Sequence, residues 1–257
     1  MTMKLASWNI NSIRQRAGHV GTWLDKHSFD VLMLQELKAE SLPGNVPSHH
    51  SGYCAQLNAQ KTYNGVATLT YGESTLIADT LPGMENDNQA RYLEVDYQGW
   101  RLINIYAPNG NPLDSEKFDY KLDWLHALYQ HLGNLRACDI PFIIGGDFNV
   151  IPEQKDCYDP QAWTGDALFD SRARRIWRMM VNLGLYDAFR VHNTSNGEYS
   201  FWDYQGGAFQ ADKGIRIDHF LLSPPACDKM RSCSIDRGPR TWHKPSDHTP
   251  ITLELAA

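Results

Sequence analysis

Six short apolar runs in this 257-residue chain end, or turn over, at a polar side chain. Asn9 follows LASW, Glu36 follows VLMLQ, Tyr106 closes RLINIY, and Asp147 and Asn149 follow FIIGG. Asp218 sits inside IRIDHF, and Asp247 with His248 directly precedes ITLEL. If these strand ends meet at one rim, they assemble carboxylates, amides, a phenol and an imidazole, the donor set of a metal-assisted hydrolytic site. Glu36 suits a hard, oxygen-preferring Mg2+ that takes few protein carboxylates and leaves coordination sites for a substrate phosphate. An ionised Asp147 would take a proton from an attacking water that Asn149 holds in line. His248, kept charged by an acidic neighbour such as Asp218, would donate to a phosphoryl oxygen where negative charge builds. No G-x-S-x-G or GxxxxGK[ST] segment is present, so direct attack by water is the expected route.

Each residue also has a local explanation. Glu36 could pair with Lys38 or an arginine, and the Asp and Asn of GGDFN are ordinary turn residues beside two glycines that allow a close backbone approach. Asp218 could pair with Arg216 or with a histidine, Tyr106 could be a half-buried core tyrosine, and Asn9 could bond a turn. KPSDHTP, residues 244–250, could simply open the last strand.

The elements that must deliver these groups are legible in the apolar pattern. Strands are expected over 5–10, 31–35, 65–70, 91–97, 101–106, 142–146, 215–222 and 251–255, from short runs rich in β-branched residues. Phe118, Leu122, Leu125, Tyr129 and Leu132 recur at helical spacing between Ser115 and Gly133. A second helix should follow Asp170 and Ser171, turn Ile176, Trp177, Met180 and Val181 inward, and stop at Gly184; a third should span 17–26. Strands alternating with helices, with several adjacent strand pairs, predict a layered α/β architecture with two sheets.

Net charge is -6, from 30 acidic residues against 24 Lys plus Arg, which by itself speaks against a nucleic-acid partner. Basic clusters nevertheless occur at Arg172, Arg174, Arg175 and Arg178, and at Arg231, Arg237, Arg240 and Lys244. Five scattered cysteines without CxxC spacing read as free thiols of a reducing cytoplasm. Neither a signal peptide nor a membrane span is expected, and no linker divides residues 1–257, so one domain and, by default, a monomer are expected.

The segments SWNINSIRQR, DVLMLQELK, YNGVATLT, INIYAPNG, FIIGGDFNV, GLYDAFR, YSFWDY, GIRIDHFLLS and KPSDHTPI, in this order over nearly the whole chain, resemble the exonuclease III family of apurinic/apyrimidinic (AP) endonucleases. That family lies within the endonuclease/exonuclease/phosphatase superfamily. The resemblance implies a four-layered α/β sandwich with two packed mixed β-sheets flanked by helices. It also implies Mg2+-dependent hydrolysis of DNA phosphodiesters, with Mn2+ as a substitute, 5′ to abasic sites in double-stranded DNA. Exonuclease, phosphodiesterase and phosphatase action at 3′ ends would accompany it.

Carried over by motif, Glu36 is the principal metal ligand with Asn9 and Asp247 near the ion, and Asp147, Asn149 and His248 complete the set around it. Tyr106, Asp147, Asn149, Asp218 and His248 form the catalytic group, with Asp218 holding His248. The resemblance also implies that Phe201 and Trp202 form the wall of a pocket for an abasic sugar. Asn11 stands where some relatives carry an acid. The loop 158–174 falls where relatives vary, at a place where bulk would shift the balance between abasic-site cleavage and 3′ exonuclease action. The alternatives are a 3′ exonuclease/phosphatase with weak abasic-site cleavage, or a superfamily phosphoesterase acting on lipid or RNA.

Overall fold

Two sequence units of strand, helix and parallel strand build the centre of this protein. In the first, β1 (Thr2–Asn9) and β2 (Val31–Gln35) flank α1 (Ile13–Lys26); in the second, β7 (Trp100–Tyr106) and β8 (Phe142–Asp147) flank α2 (Glu116–Ala137). Each parallel pair is extended by antiparallel neighbours. The first sheet runs β11-β12-β1-β2-β4-β3, with β3 (Tyr53–Asn58), β4 (Val66–Tyr71), β11 (Met230–Ile235) and β12 (Ile251–Ala256). The second runs β5-β6-β7-β8-β10-β9, with β5 (Thr75–Ala78), β6 (Tyr92–Tyr97), β9 (Tyr186–Asp187) and β10 (Asp218–Leu222). Helices α3 (Ser171–Asn182), α4 (Ala188–His192) and α5 (Pro224–Asp228) complete the order. The computed structural model describes residues 2–44, 46 and 52–256.

Strand alternation sets the layers. Leu5, Val31, Met33, Leu102, Ile143, Phe220 and Leu253 point between the sheets and form one core cluster. The opposite parity of the first sheet, Ala6, Trp8, Leu32 and Leu34, packs on Val20, Trp23 and Leu24 of α1. That of the second, Ile103, Ile105, Phe142 and Ile144, packs on α2 and α3. Helix, sheet, sheet and helices therefore stack as the expected four layers. The two glycines of GGDFN serve this packing. A Cβ on Gly145 would lie 2.4 Å from a Phe220 ring carbon, and one on Gly146, at φ 144°, would lie 2.0 Å from the Ile105 carbonyl oxygen. The close approach they allow is between strands and sheets.

Helix α1 begins four residues before the expected 17, because Ile13 and Arg16 are already buried. Helix α2 runs past Gly133 to Ala137, carried by buried Leu135. Only 218–222 of the expected 215–222 strand joins a ladder; Ile215 instead makes isolated bridges to Cys157 and Phe201.

A buried charge cluster braces the second sheet away from its rim. Glu94 is 1% exposed and accepts from Tyr92 Oη at 2.5 Å and Arg101 Nη1 at 2.6 Å, with His131 Nε2 at 3.0 Å. Burial opposes its charge, yet its hydrogen bonds, led by that from His131, hold the carboxyl down to about 2. A depressed carboxyl stabilises the fold fully above its unfolded value of 4.5 and ceases to do so as pH falls toward 2. Glu94→Ala strands Arg101 and should cost about 3 kcal/mol at pH 7. Urea unfolding should show that gap narrowing between pH 5 and 3; a constant gap would assign the cost to packing alone.

Candidate active site

Parity and strand direction together assemble the rim. Asn9 shares the inward parity of Leu5, Tyr106 that of Leu102, Asp147 that of Ile143, and Asp218 that of Phe220. The carboxyl ends of the parallel strands lie at the same edge as the start of antiparallel β10 and the entry to β12. Asp147 is consequently paired in register with Tyr106 on one side and Asp218 on the other. Side chains far apart in sequence meet at this edge, the carboxyl ends of the parallel strands, the usual place for a ligand in such sheets.

Asn9 is fully buried and bridges two acids, its Nδ2 donating to Glu36 Oε1 at 2.9 Å and to Asp147 Oδ2 at 3.0 Å. The backbone N–H of Asn149 donates to Asp147 Oδ1 at 2.8 Å. Asn149 Nδ2 is tied to the Ala107 carbonyl at 2.8 Å, and its Oδ1 accepts from Asn109 Nδ2 at 3.4 Å. His248 Nδ1 lies 2.8 Å from Asp218 Oδ2, while its Nε2 lies 3.8 Å from Asp147 Oδ2. Glu36 at φ 52° and Asn149 at φ 49° occupy left-handed backbone conformations, a strain of about 1 kcal/mol or more each that aims the two side chains inward.

The electrostatics separate the roles. Burial raises the Asp147 carboxyl, with His248 opposing and Asp218 and Glu36 adding to the rise, so its proton affinity is moved toward neutrality. Burial works against charge on His248, but Asp218 overcomes it and holds the imidazole up to about 10. Burial and the charges of Glu36 and Asp147 push the Tyr106 phenol far up, so it keeps its proton and can only donate through it. On Glu36 burial is outweighed by Lys38, whose Nζ lies 2.9 Å from Oε2, and the carboxyl falls below its usual range. The Glu36–Lys38 pair and the cluster thus coexist.

Glu36, Asp147 and His248 offer ligand atoms all within 4.8 Å of one another. The two carboxylates, with the Asn9 amide beside them, fit a hard divalent cation. His248 does not fit as a ligand: with Nδ1 engaged by Asp218 and the ring held cationic, its Nε2 carries a proton and donates. Asp247 lies beside this group rather than in it; its Oδ1 accepts from Asn11 Nδ2 at 2.9 Å, and Asn11 Oδ1 is taken by Lys38 Nζ at 2.6 Å. The amide at position 11 thereby ties Asp247 and Lys38 together.

Phe201 packs edge-on to His248, ring centroids 4.9 Å apart. Trp202 corrects the expected wall. It is 0% exposed, its indole N–H donates to Asp212 Oδ1 at 3.1 Å, and it packs with Tyr199 and Phe209, because its parity is opposite to that of Phe201. Behind Phe201 the apolar surface comes from Ile215, Ile217, Leu168 and Trp163. Of the arginine clusters, Arg240 is buried against the Trp202 carbonyl and Arg237 pairs with Asp212, while Arg175 and Arg178 are exposed.

Residues 6–248 match the model of the endonuclease/exonuclease/phosphatase family. The chain is 33% identical to exodeoxyribonuclease III of Haemophilus influenzae, over 98% of this chain and 100% of that protein. Among solved structures it is similar to the 3′ phosphatase NExo from Neisseria bound to a product DNA hairpin, with TM-score 0.95 and 34% identity over 99% of this chain and 100% of that one. It is also similar to an AP endonuclease from Archaeoglobus fulgidus, with TM-score 0.94 and 33% identity over 99% and 100% of the two chains.

Proposed function

Because this chain belongs to the endonuclease/exonuclease/phosphatase family, and within it to the exonuclease III family, we propose that it is a metal-dependent DNA phosphodiester hydrolase of base excision repair. It cuts duplex DNA 5′ to abasic sites and trims 3′ ends as exonuclease, phosphodiesterase and phosphatase. The observation that carries this reading is the position of Asp147, held by Asn9 and the Asn149 N–H with Glu36 on one side and His248 on the other. The groups come from both sheets, so residues 1–257 act as one catalytic unit.

Asp147 accepts the proton of the attacking water, and Asn149, fixed through Ala107, orients that water. As the new oxygen–phosphorus bond forms and the bond to the leaving 3′ oxygen breaks, that oxygen takes a proton from solvent and departs as a 3′ hydroxyl, while His248 Nε2–H and the Tyr106 hydroxyl donate to the phosphoryl oxygens where charge accumulates. Glu36, oriented by the Asn9 amide N–H, would hold Mg2+, or Mn2+ in its place, which when bound supplies Lewis-acid stabilisation of that charge. Phe201 gives a flipped sugar an apolar face. Exposed Arg175 and Arg178 are candidates for phosphate contact on duplex DNA.

The test is a duplex carrying one stable abasic analogue, incubated with Mg2+ or EDTA. A single metal-dependent nick 5′ to the lesion is expected. Shortening from 3′ ends without a nick would instead support a 3′ exonuclease/phosphatase specialist, a second reading favoured by the likeness to NExo. No cleavage of any DNA would overturn the nuclease reading and return attention to lipid or RNA phosphoesters. Glu36→Gln should raise the Mg2+ needed for half-maximal rate by about tenfold or more while leaving DNA affinity within a few-fold; an unchanged Mg2+ requirement would remove Glu36 from the ion.

A further inference from the structure

Helix α2 carries a lysine on its apolar face. Phe118, Leu125, Leu128 and Leu132 turn inward at helical spacing, and Lys121, three residues after the first and four before the second, falls on the same stripe and is 0% exposed. A buried ammonium is costly unless its protons are taken up. Lys121 Nζ donates to three carbonyl oxygens, Asn149 at 2.6 Å, Asn109 at 2.9 Å and Ala167 at 3.0 Å. Three acceptors match the three protons of an ammonium, and a neutral amine could serve only two of them.

Those carbonyls belong to the loop after β7 and to the two ends of the connection between β8 and α3, residues 148–170. Other bonds stitch the same loops. Asn111 Nδ2 reaches Asp166 Oδ2 at 3.1 Å, the Ala167 N–H donates to Asn111 Oδ1 at 3.0 Å, and the Ile151 N–H donates to the Leu168 carbonyl at 2.8 Å. Gly110 leaves the room: at φ 85°, a Cβ there would lie 2.5 Å from Lys121 Cδ. The far side of the β8 loop is held as well. Arg216 Nη1 can only donate to His219 Nδ1, at 2.9 Å, so the proton of His219 lies on Nε2, which donates to the Val150 carbonyl at 3.1 Å.

We propose that Lys121 is a positioning residue for phosphodiester hydrolysis, clamping the loop after β7 and both ends of the β8–α3 connection so that the backbone carrying Asn149 presents its amide to the attacking water. The proposal rests on the reading of Asp147 and Asn149 as catalytic groups.

Single-turnover cleavage of the abasic duplex in Mg2+ separates the two. Wild type must nick; if it does not, the parent reading fails first. Given a nicking wild type, Lys121→Met should slow the single-turnover rate by about 30-fold or more per folded molecule. DNA affinity in EDTA and the Mg2+ midpoint should stay within threefold. Lys121→Arg, which keeps the charge but places its donors in a plane, should remain slowed by fivefold or more and serves if the Met variant does not fold. Lys121→Ala should regain rate in added ethylammonium and not in tetramethylammonium, which has no N–H. A folded variant with the wild-type rate, or a rate loss that only follows the folded fraction, would overturn the proposal, as would failure of all three to fold, which would assign Lys121 to the core alone.

Discussion

Asp147→Asn should abolish nicking, with a loss of at least about a thousandfold in single-turnover rate, and should do so without unfolding the protein. A thousandfold corresponds to about 4 kcal/mol of barrier. The expectation follows from what the substitution keeps and what it removes. The new amide oxygen still accepts from the Asn149 N–H, and Asn9 Nδ2 keeps Glu36 Oε1. What disappears is the carboxylate proton acceptor positioned between Asn9, Asn149 and His248. Burial raises the Asp147 carboxyl, so its ionised form weakens the fold, and its replacement should leave the thermal midpoint unchanged or higher. A folded variant retaining a tenth of wild-type rate would remove Asp147 from the chemistry.

Asp218→Asn should lower the rate about a hundredfold at pH 8 and much less at pH 6. The His248 imidazole is held up to about 10 from 6.5, chiefly by Asp218 against the cost of burial. A histidine raised in this way contributes stability that is fully present below its unfolded value of 6.5 and is lost as pH rises through about 10. The wild-type donor therefore stays cationic across the physiological range. Without the Asp218 carboxylate, burial weighs more heavily against the charged form, with Asp147 and Asp247 still favouring it, and the alkaline fall in rate should move to lower pH. Breaking this buried pair should also cost about 3 kcal/mol at pH 7, a gap that closes above pH 10. An alkaline limb at the wild-type position in the folded variant would show that another group sets the charge on His248.

The residues with local signals were readable in the chain. β1, β2, β4, β6, β7, β8, β10 and β12 are the interior strands of the two sheets, and each appears as an apolar run. The four strands that the pattern does not reveal, β3, β5, β9 and β11, are the four sheet edges. Edge strands are half solvated, with sequences such as YCAQLN and MRSCSI and no sustained apolar alternation. Trp202 shows the same limit at one residue: FW at 201–202 identifies two aromatics, but strand parity sends one to His248 and the other into a separate core. Lys121 did leave a mark, a lysine on an apolar helical stripe, yet its three acceptors are 12, 28 and 46 residues away.

The chemistry available was written along the chain, because side-chain type and the twofold parity of strands are local and carry Asn9, Tyr106, Asp147 and Asp218 to one face at the strand ends. The ordered motifs added the family. Which groups meet depends on the three-dimensional fold: Asn9 spans 138 residues to reach Asp147, Asn11 spans 236 to hold Asp247, and His248 faces both Asp218 and Asp147. Those distances are set by sheet order and by the packing of one sheet on the other, and neither is encoded in any single stretch of chain.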